Sequence, residues 1–431
     1  MICKNLSREG KDLTFVGRKA KDLAKKYKTP LILMDEALIR ERMRIYRDTM
    51  KEAFSEDAMP LYAGKAAAIT AIFRIAKEEK IGLDVVSPGE IATALKAGFP
   101  LKNAYFQGNN KTDEDIAYAV ANRIGAFVVD NFEEVDAIEK EAAACGIRQK
   151  ILLRLTPGID SHTYEAVNTG KVDSKFGTAI ETGQAKEIVK KTLALPHIDL
   201  AGFHCHVGSL VFESSTFLRS AEIMLCFMDE IRKEFGYTAR ELDLGGGYGV
   251  RYTESDPEID IAANIREVAF FVKRRAKELS LPLPAVRLEP GRSIVADAGL
   301  TLYTVGSVKR ITGYKNYVSV DGGMTDNPRF ALYGSKYTVF AADKMDEKPS
   351  LPADLVGRCC ESGDVIQPAV LFPESIRRGD LVAVCTTGAY NYSMASHYNR
   401  VPKPAVVLLS EEEEKVIVRR ETAEDMTAFD L

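Results

Sequence analysis

Between residues 58 and 292, short apolar runs alternate with stretches in which apolar residues recur every three or four positions. The short runs, at 58–65, 81–87, 103–108, 125–131, 149–157, 199–208, 239–247 and 285–292, predict eight strands. The stretches between them predict helices. Strands that alternate with helices build parallel βαβ units, and eight of them over this length predict a closed (β/α)₈ barrel of TIM type rather than an open sheet. Two helix starts are chemically marked. Ser87-Pro88-Gly89-Glu90 offers a capping hydroxyl, proline at the first helical position and glutamate three residues on, and Asn131-Phe132-Glu133-Glu134 follows the same logic. These caps fix where the second and fourth strands end.

The flanks read differently. Residues 11–29 predict a charged helix or loop, Leu31-Ile32-Leu33-Met34 a short strand, and 36–55 a helix with Leu38, Met43 and Tyr46 at apolar spacing. After Arg292, β-rich runs appear at Leu302-Tyr303-Thr304-Val305, Tyr317-Val318-Ser319-Val320, Leu381-Val382-Ala383-Val384 and Val416-Ile417-Val418, punctuated by Gly and Pro. The chain therefore divides into a barrel over 36–292 and a discontinuous β-rich domain over 1–35 and 293–431. Glu411–Glu414 reads as a solvated turn. The polar loop 158–177 is longer than an ordinary connection and reads as a lid or specificity element.

Composition narrows the function classes. The 431 residues leave room for two domains, and 46% hydrophobic with 28% charged residues is ordinary for a soluble protein. A net charge of −4 provides no basic excess for nucleic acid. No apolar run reaches the length of a membrane span, and Met1–Arg8 holds no signal-like run. Seven cysteines at irregular spacing point to reduced thiols, so the cytoplasm is the expected compartment.

In a (β/α)₈ barrel the chemistry sits at the C-terminal strand ends. The first ends in Tyr62-Ala63-Gly64-Lys65, carrying an ammonium to the rim of an apolar core, where desolvation makes the neutral amine accessible for Schiff-base chemistry. The plainer reading is a solvated lysine at a strand end. Further ends bring Asp84, Gly108-Asn109-Asn110-Lys111, Arg154, His204-Cys205-His206-Val207-Gly208-Ser209, Gly245-Gly246-Gly247-Tyr248-Gly249 and Glu289-Pro290-Gly291-Arg292. Loops after the seventh and eighth strands form phosphate sites in this fold. Gly245, Gly246 and Gly247 allow close backbone approach to an anion, and Arg292 and Ser209 add donors; a tight turn is the competing account of the glycines.

A lysine nucleophile, a phosphate cradle and a carboxylate together suggest pyridoxal 5'-phosphate, whose ring nitrogen needs an acidic partner. Glu289 is the candidate, with an ion pair to Arg292 as the alternative. His206 is placed to stack on the ring, and His204 is assigned to the core or a supporting position. Zinc binding by His204 and His206 is rejected for lack of further ligand spacing, so no metal is expected.

The same motifs resemble the alanine-racemase-like, fold-type III pyridoxal-phosphate decarboxylases, and the likeness covers nearly the whole chain. Gly108-Asn109-Asn110-Lys111, Thr156-Pro157-Gly158-Ile159 through Asp173-Ser174-Lys175-Phe176-Gly177, Asn327-Pro328-Arg329, Cys360-Glu361-Ser362-Gly363-Asp364 and Gly388-Ala389-Tyr390-Asn391-Tyr392-Ser393-Met394 narrow it to the branch acting on meso-2,6-diaminopimelate. The resemblance implies that Lys65 bonds the cofactor, that His206 stacks on it and that Glu289 holds its ring nitrogen. It assigns Asp84, Ser209, Gly245–Gly247, Gly291, Arg292 and Tyr390 to the cofactor's surroundings. It further implies Cys360 as the proton donor after carbon dioxide leaves, and Arg292, Arg329, Tyr333, Glu361 and Tyr390 as substrate contacts. The implied assembly is a homodimer whose partner chain supplies Cys360 and Glu361.

The chemistry fits that branch: a guanidinium at Arg329 can take a distal carboxylate and Glu361 a distal ammonium. Which of Cys359 and Cys360 faces the site stays open in the sequence. Leu210 stands where the family often has Gln, and Asn391 where Gly is common. The competing readings are a relative acting on another basic amino acid or carboxynorspermidine, and an inactive regulatory homologue.

Overall fold

The computed structural model describes residues 1–159 and 174–431, so the central part of the predicted lid lies outside the described residues. Two units divide the chain, one of 40–249 and 258–291, the other of 1–39, 250–257 and 292–431. The short stretch 250–257 therefore sits with the β-rich unit, which its position among the barrel segments did not suggest.

The first unit is a closed barrel of eight parallel strands: β1 (Met59–Ala63), β2 (Gly82–Val85), β3 (Ala104–Phe106), β4 (Ala126–Val129), β5 (Gln149–Thr156), β6 (Ile198–His204), β7 (Glu241–Asp243) and β8 (Ala285–Leu288). Pairing runs in sequence order and closes from β8 to β1 through Arg287 and Leu288 against Met59 and Pro60. Most strands end two to four residues earlier than the hydrophobic runs. Those trailing residues leave the ladder and become the loops that carry the candidate chemistry. The helix caps behave as their residue types require: Glu90 N–H donates to Ser87 Oγ at 3.2 Å, and Glu134 N–H donates to Asn131 Oδ1 at 3.0 Å.

The opposite, N-terminal end of the barrel is held by charge. The buried Glu241 at the start of β7 accepts from Tyr105 Oη at 2.8 Å and from Arg287 Nη2 at 3.2 Å, and pairs with Lys150. Burial opposes the Glu241 carboxylate, but Arg287 and Lys150 outweigh it and lower its pKa. The stabilisation is therefore present at neutral pH and lost in acid as Glu241 protonates. Glu241→Ala leaves Arg287 buried without its counter-charge and is expected to cost about 3 kcal/mol, the usual loss on breaking a buried pair. Chemical denaturation checks it: an unchanged midpoint at neutral pH contradicts this account.

The second unit is a sheet ordered 365–373, 349–356, 315–320, 299–311, 31–35, 405–409, 414–418, with 381–385 also paired to 299–311. Leu31–Asp35 runs antiparallel to Gly299–Ile311 and parallel to Ala405–Leu409, with Leu31, Leu33, Leu300, Leu302 and Val407 in its core. Residues 11–29 are not a single charged helix or loop. Leu6–Glu9, Asp12–Phe15 and Arg18–Lys19 form a three-stranded meander before a helix at Ala20–Tyr27. The strands are too short for alternation to register, and the buried Leu13 and Phe15 carry the packing.

Candidate active site

Within the barrel, β1 stops at Ala63, whose N–H donates to Pro290 O at 3.0 Å, and Gly64–Ala66 make one 3-10 turn. Lys65 is on that turn. Gly64 and Ala66 are buried, while the Lys65 side chain is exposed, so the desolvation expected of it is not what the turn provides. The Lys65 charge acts on Asp84, Glu289 and His206.

Glu289 follows β8 and is buried. Gln107 Nε2 donates to its Oε1, and His204 Nε2 to its Oε2 at 3.2 Å. Burial pushes the Glu289 carboxyl up, but His204 and Lys65 outweigh that and hold it at about 2. His204 itself is pushed down by burial, so it donates as a neutral imidazole. Asp84, on β2, is fully buried with neither carboxylate oxygen hydrogen-bonded, and burial followed by the Glu289 charge raises it well above the carboxylate range.

The triple-glycine turn has a more specific use than presenting three free N–H groups. Gly245 N–H donates to Asp243 Oδ1 at 2.8 Å, and Gly246 N–H donates to His206 Nδ1 at 3.1 Å. The second bond fixes the His206 ring and leaves its proton on Nε2. Burial, then the Lys65 and Arg154 charges, push His206 well below the ordinary imidazole range. A Cβ on Gly246 would run into the Glu289 carbonyl, and one on Gly247, at φ +120°, into that of Gly208. Gly291 packs less tightly, with a Cβ there 3.0 Å from the Ala63 Cβ and 3.1 Å from the Ala66 Cβ. Ser209 lies partly buried in the loop after β6.

Two other sequence candidates are held by partners of their own. Lys111 is buried and bonded to Glu134 Oε1 at 2.6 Å and to the Gly108 and Val128 carbonyls, which makes it a loop staple. Arg154 is buried, 3.9 Å from Asp130 and stacked 4.4 Å from the Phe176 ring centroid.

In the second unit, two guanidiniums share an aromatic cage. Arg292 Nη1 donates to Tyr252 Oη at 2.7 Å and lies 4.8 Å from the Tyr390 ring centroid. Arg329 lies 5.6 Å from Tyr252, 5.9 Å from Tyr333 and 5.5 Å from Tyr390. Arg329 is buried, its Nη2 donates to Ser335 Oγ at 3.2 Å, and its Nε has no partner. Tyr390 sits at φ 63°, a conformation that costs a bulky residue energy and is tolerated where the ring must face a site.

Cys360 and Glu361 are exposed. Cys360 N–H donates to Asn399 Oδ1 at 2.9 Å, while the Glu361 carboxylate accepts from Gly363 N–H at 3.1 Å. The neighbouring thiol differs: Cys359 is partly buried, and burial with the Asp364 carboxylate pushes it up to about 11. The two cysteines that the sequence could not separate are thus separated by environment.

Gln107, Asp243, Tyr252 and Tyr337 escaped the sequence reading. Gln107 directly precedes the Gly108–Lys111 motif and Asp243 stands two residues before Gly245, so position at a strand end was the available signal. Tyr252 and Tyr337, packed edge-on at 5.5 Å, carried none.

The donor set suits pyridoxal phosphate. An exposed lysine, a buried carboxylate held ionised and a neutral histidine fixed by a glycine turn are what an aldehyde-bearing pyridine requires.

Comparison with known proteins agrees. The profile of the family described as "Pyridoxal-dependent decarboxylase, pyridoxal binding domain" matches residues 36–296. The chain is 44% identical over 409 residues to a diaminopimelate decarboxylase of Bacillus subtilis, covering 95% of this chain and 93% of that one. It is 39% identical to that of Staphylococcus aureus, covering 97% of each. A crystal structure of diaminopimelate decarboxylase from M. jannaschii in complex with L-lysine superposes with a TM-score of 0.93 at 31% identity, covering 100% of this chain and 98% of that one. With likeness of that extent in sequence and in fold, the chain belongs to the diaminopimelate decarboxylase family of pyridoxal-dependent decarboxylases.

Proposed function

We propose that the protein decarboxylates meso-2,6-diaminopimelate to L-lysine and carbon dioxide, with pyridoxal phosphate bonded to Lys65. The observation that carries this reading is the cage of Arg292 and Arg329 among Tyr252, Tyr333 and Tyr390, with an unpartnered Arg329 Nε. A diamino acid with one carboxylate has no use for that second charge-assisted donor set; a substrate with a distal carboxylate does.

Pyridoxal phosphate supplies the electron sink for the pair left when the carboxylate departs. The chain's own groups do the rest. Lys65 offers the nucleophilic amine. Glu289, ionised, would hold a protonated ring nitrogen. His206, neutral and fixed at Nδ1, would stack on the cofactor without adding charge. Arg329 takes the distal carboxylate and Glu361 the distal ammonium. Cys360 Sγ gives its proton to the substrate carbon that lost carbon dioxide.

The exposure of Cys360 and Glu361 in the single chain supports a homodimer in which each copy supplies these two residues to the other's site. The cytoplasm is the proposed compartment, supported by seven free cysteines, and no described helix is long and apolar enough to cross a membrane.

The test is carbon dioxide release from meso-diaminopimelate, ornithine and lysine. Arg329→Ala is expected to raise KM for diaminopimelate by about 10²-fold, the cost of a charge-assisted bond pair. Its effect on a substrate without the distal carboxylate should be small. Equal losses on both substrates contradict the assignment.

A further inference from the structure

Asp243 ends β7 directly below the glycine turn and has no solvent exposure. Its Oδ1 accepts from Gly245 N–H, and its Oδ2 has no hydrogen-bond donor. Asp243, Glu289 and His204 each bring a side-chain oxygen or nitrogen within 4.8 Å of the other two. Both Glu289 oxygens already accept, one from Gln107 and one from His204. Two carboxylates this close in a buried interior cannot both stay ionised, and the one with fewer donors keeps the proton.

We propose that Asp243 is a positioning residue that holds a proton on Oδ2 and donates it to Glu289. Glu289 then has three donors, Gln107, His204 and Asp243, and a carboxylate so held keeps its charge and its orientation. Other charged or titratable groups acting on Asp243 are Asp84, Cys205 and Arg287. Asp243 is raised well above the carboxylate range by burial, then by the Glu289 charge, in keeping with this geometry. The pairing stands on the barrel alone, whereas its service to the cofactor rests on the proposed function, so the test has separate arms.

Asp243→Asn replaces a neutral acid with a neutral amide that can accept from Gly245 and donate to Glu289. An acid kept protonated in the fold costs stability once pH exceeds its unfolded value, near 4 for Asp. Wild type should therefore lose ground to D243N as pH rises, by up to about tenfold in the folding equilibrium per pH unit until the folded-state titration is reached. While position 243 is uncharged in both proteins, Asp84 contributes equally to each.

In the second arm, the holoprotein of D243N should keep cofactor affinity within about threefold and an unchanged pH profile of cofactor absorbance. Asp243→Ala should lose affinity about tenfold, the worth of one hydrogen bond to a charged group. A stability gap that is flat or shrinks with rising pH overturns the proposal. So does a D243N chain that fails to fold or is as impaired as D243A, and so does a stoichiometric divalent ion found in the purified wild type.

Discussion

Lys65→Ala is expected to lower diaminopimelate decarboxylation by at least about 10⁴-fold, the joint worth of a covalent nucleophile and a placed proton-transfer group. Lys65 lies on a one-turn 3-10 segment between the buried Gly64 and Ala66, so the backbone cannot bring another amine to that point. Lys111, the other lysine near a strand end, is consumed by Glu134 and two carbonyls. Lys65→Arg should fail equally, because a guanidinium cannot give up its proton to act as a nucleophile. Carbon dioxide release under single-turnover conditions measures it. Activity within tenfold of wild type in either variant would remove Lys65 from the mechanism.

Cys360→Ala is expected to lower turnover by roughly 10²–10⁴, the usual contribution of a positioned proton donor, and to leave cofactor absorbance unchanged. Cys359→Ala should stay within a few-fold of wild type. Cys360 presents an exposed thiol on a backbone pinned to Asn399, whereas the Cys359 thiol is partly buried beside Asp364, whose carboxylate accepts the Cys359 N–H at 2.7 Å. A thiol raised to about 11 by burial and an adjacent carboxylate remains protonated, but it is turned toward its own unit rather than outward. Turnover measured for both variants decides between them, and the reverse ranking would assign the donor to Cys359.

Much of this was legible in the chain. The eight apolar runs and the caps at Ser87 and Asn131 placed the barrel strands, because parallel strands buried on both faces read as continuous apolar segments. Strand ends followed less well: the runs continue into loops whose residues are apolar or glycine for the sake of the site. The meander of Leu6–Lys19 was invisible because two- to four-residue strands have no period to detect. The candidate site was legible where one residue type suggests the chemistry, as at Lys65 and Glu289, or where the resemblance supplied it, as at Arg329. It was illegible where the role is relational. Nothing about Asp243 in isolation announces a carboxyl beside another carboxylate, and nothing about Tyr252 shows that two guanidiniums gather around its ring. Those facts belong to the closure of the barrel and of the sheet.

The proposed chemistry depends on the Lys65 amine bonding an aldehyde cofactor whose ring nitrogen Glu289 would hold. Reduction of the pyridoxal-phosphate-loaded protein with borohydride, followed by peptide mapping, tests it most directly. The account predicts loss of the visible absorbance and a single reduced cofactor adduct on Lys65. An adduct on any other lysine, or none, contradicts it.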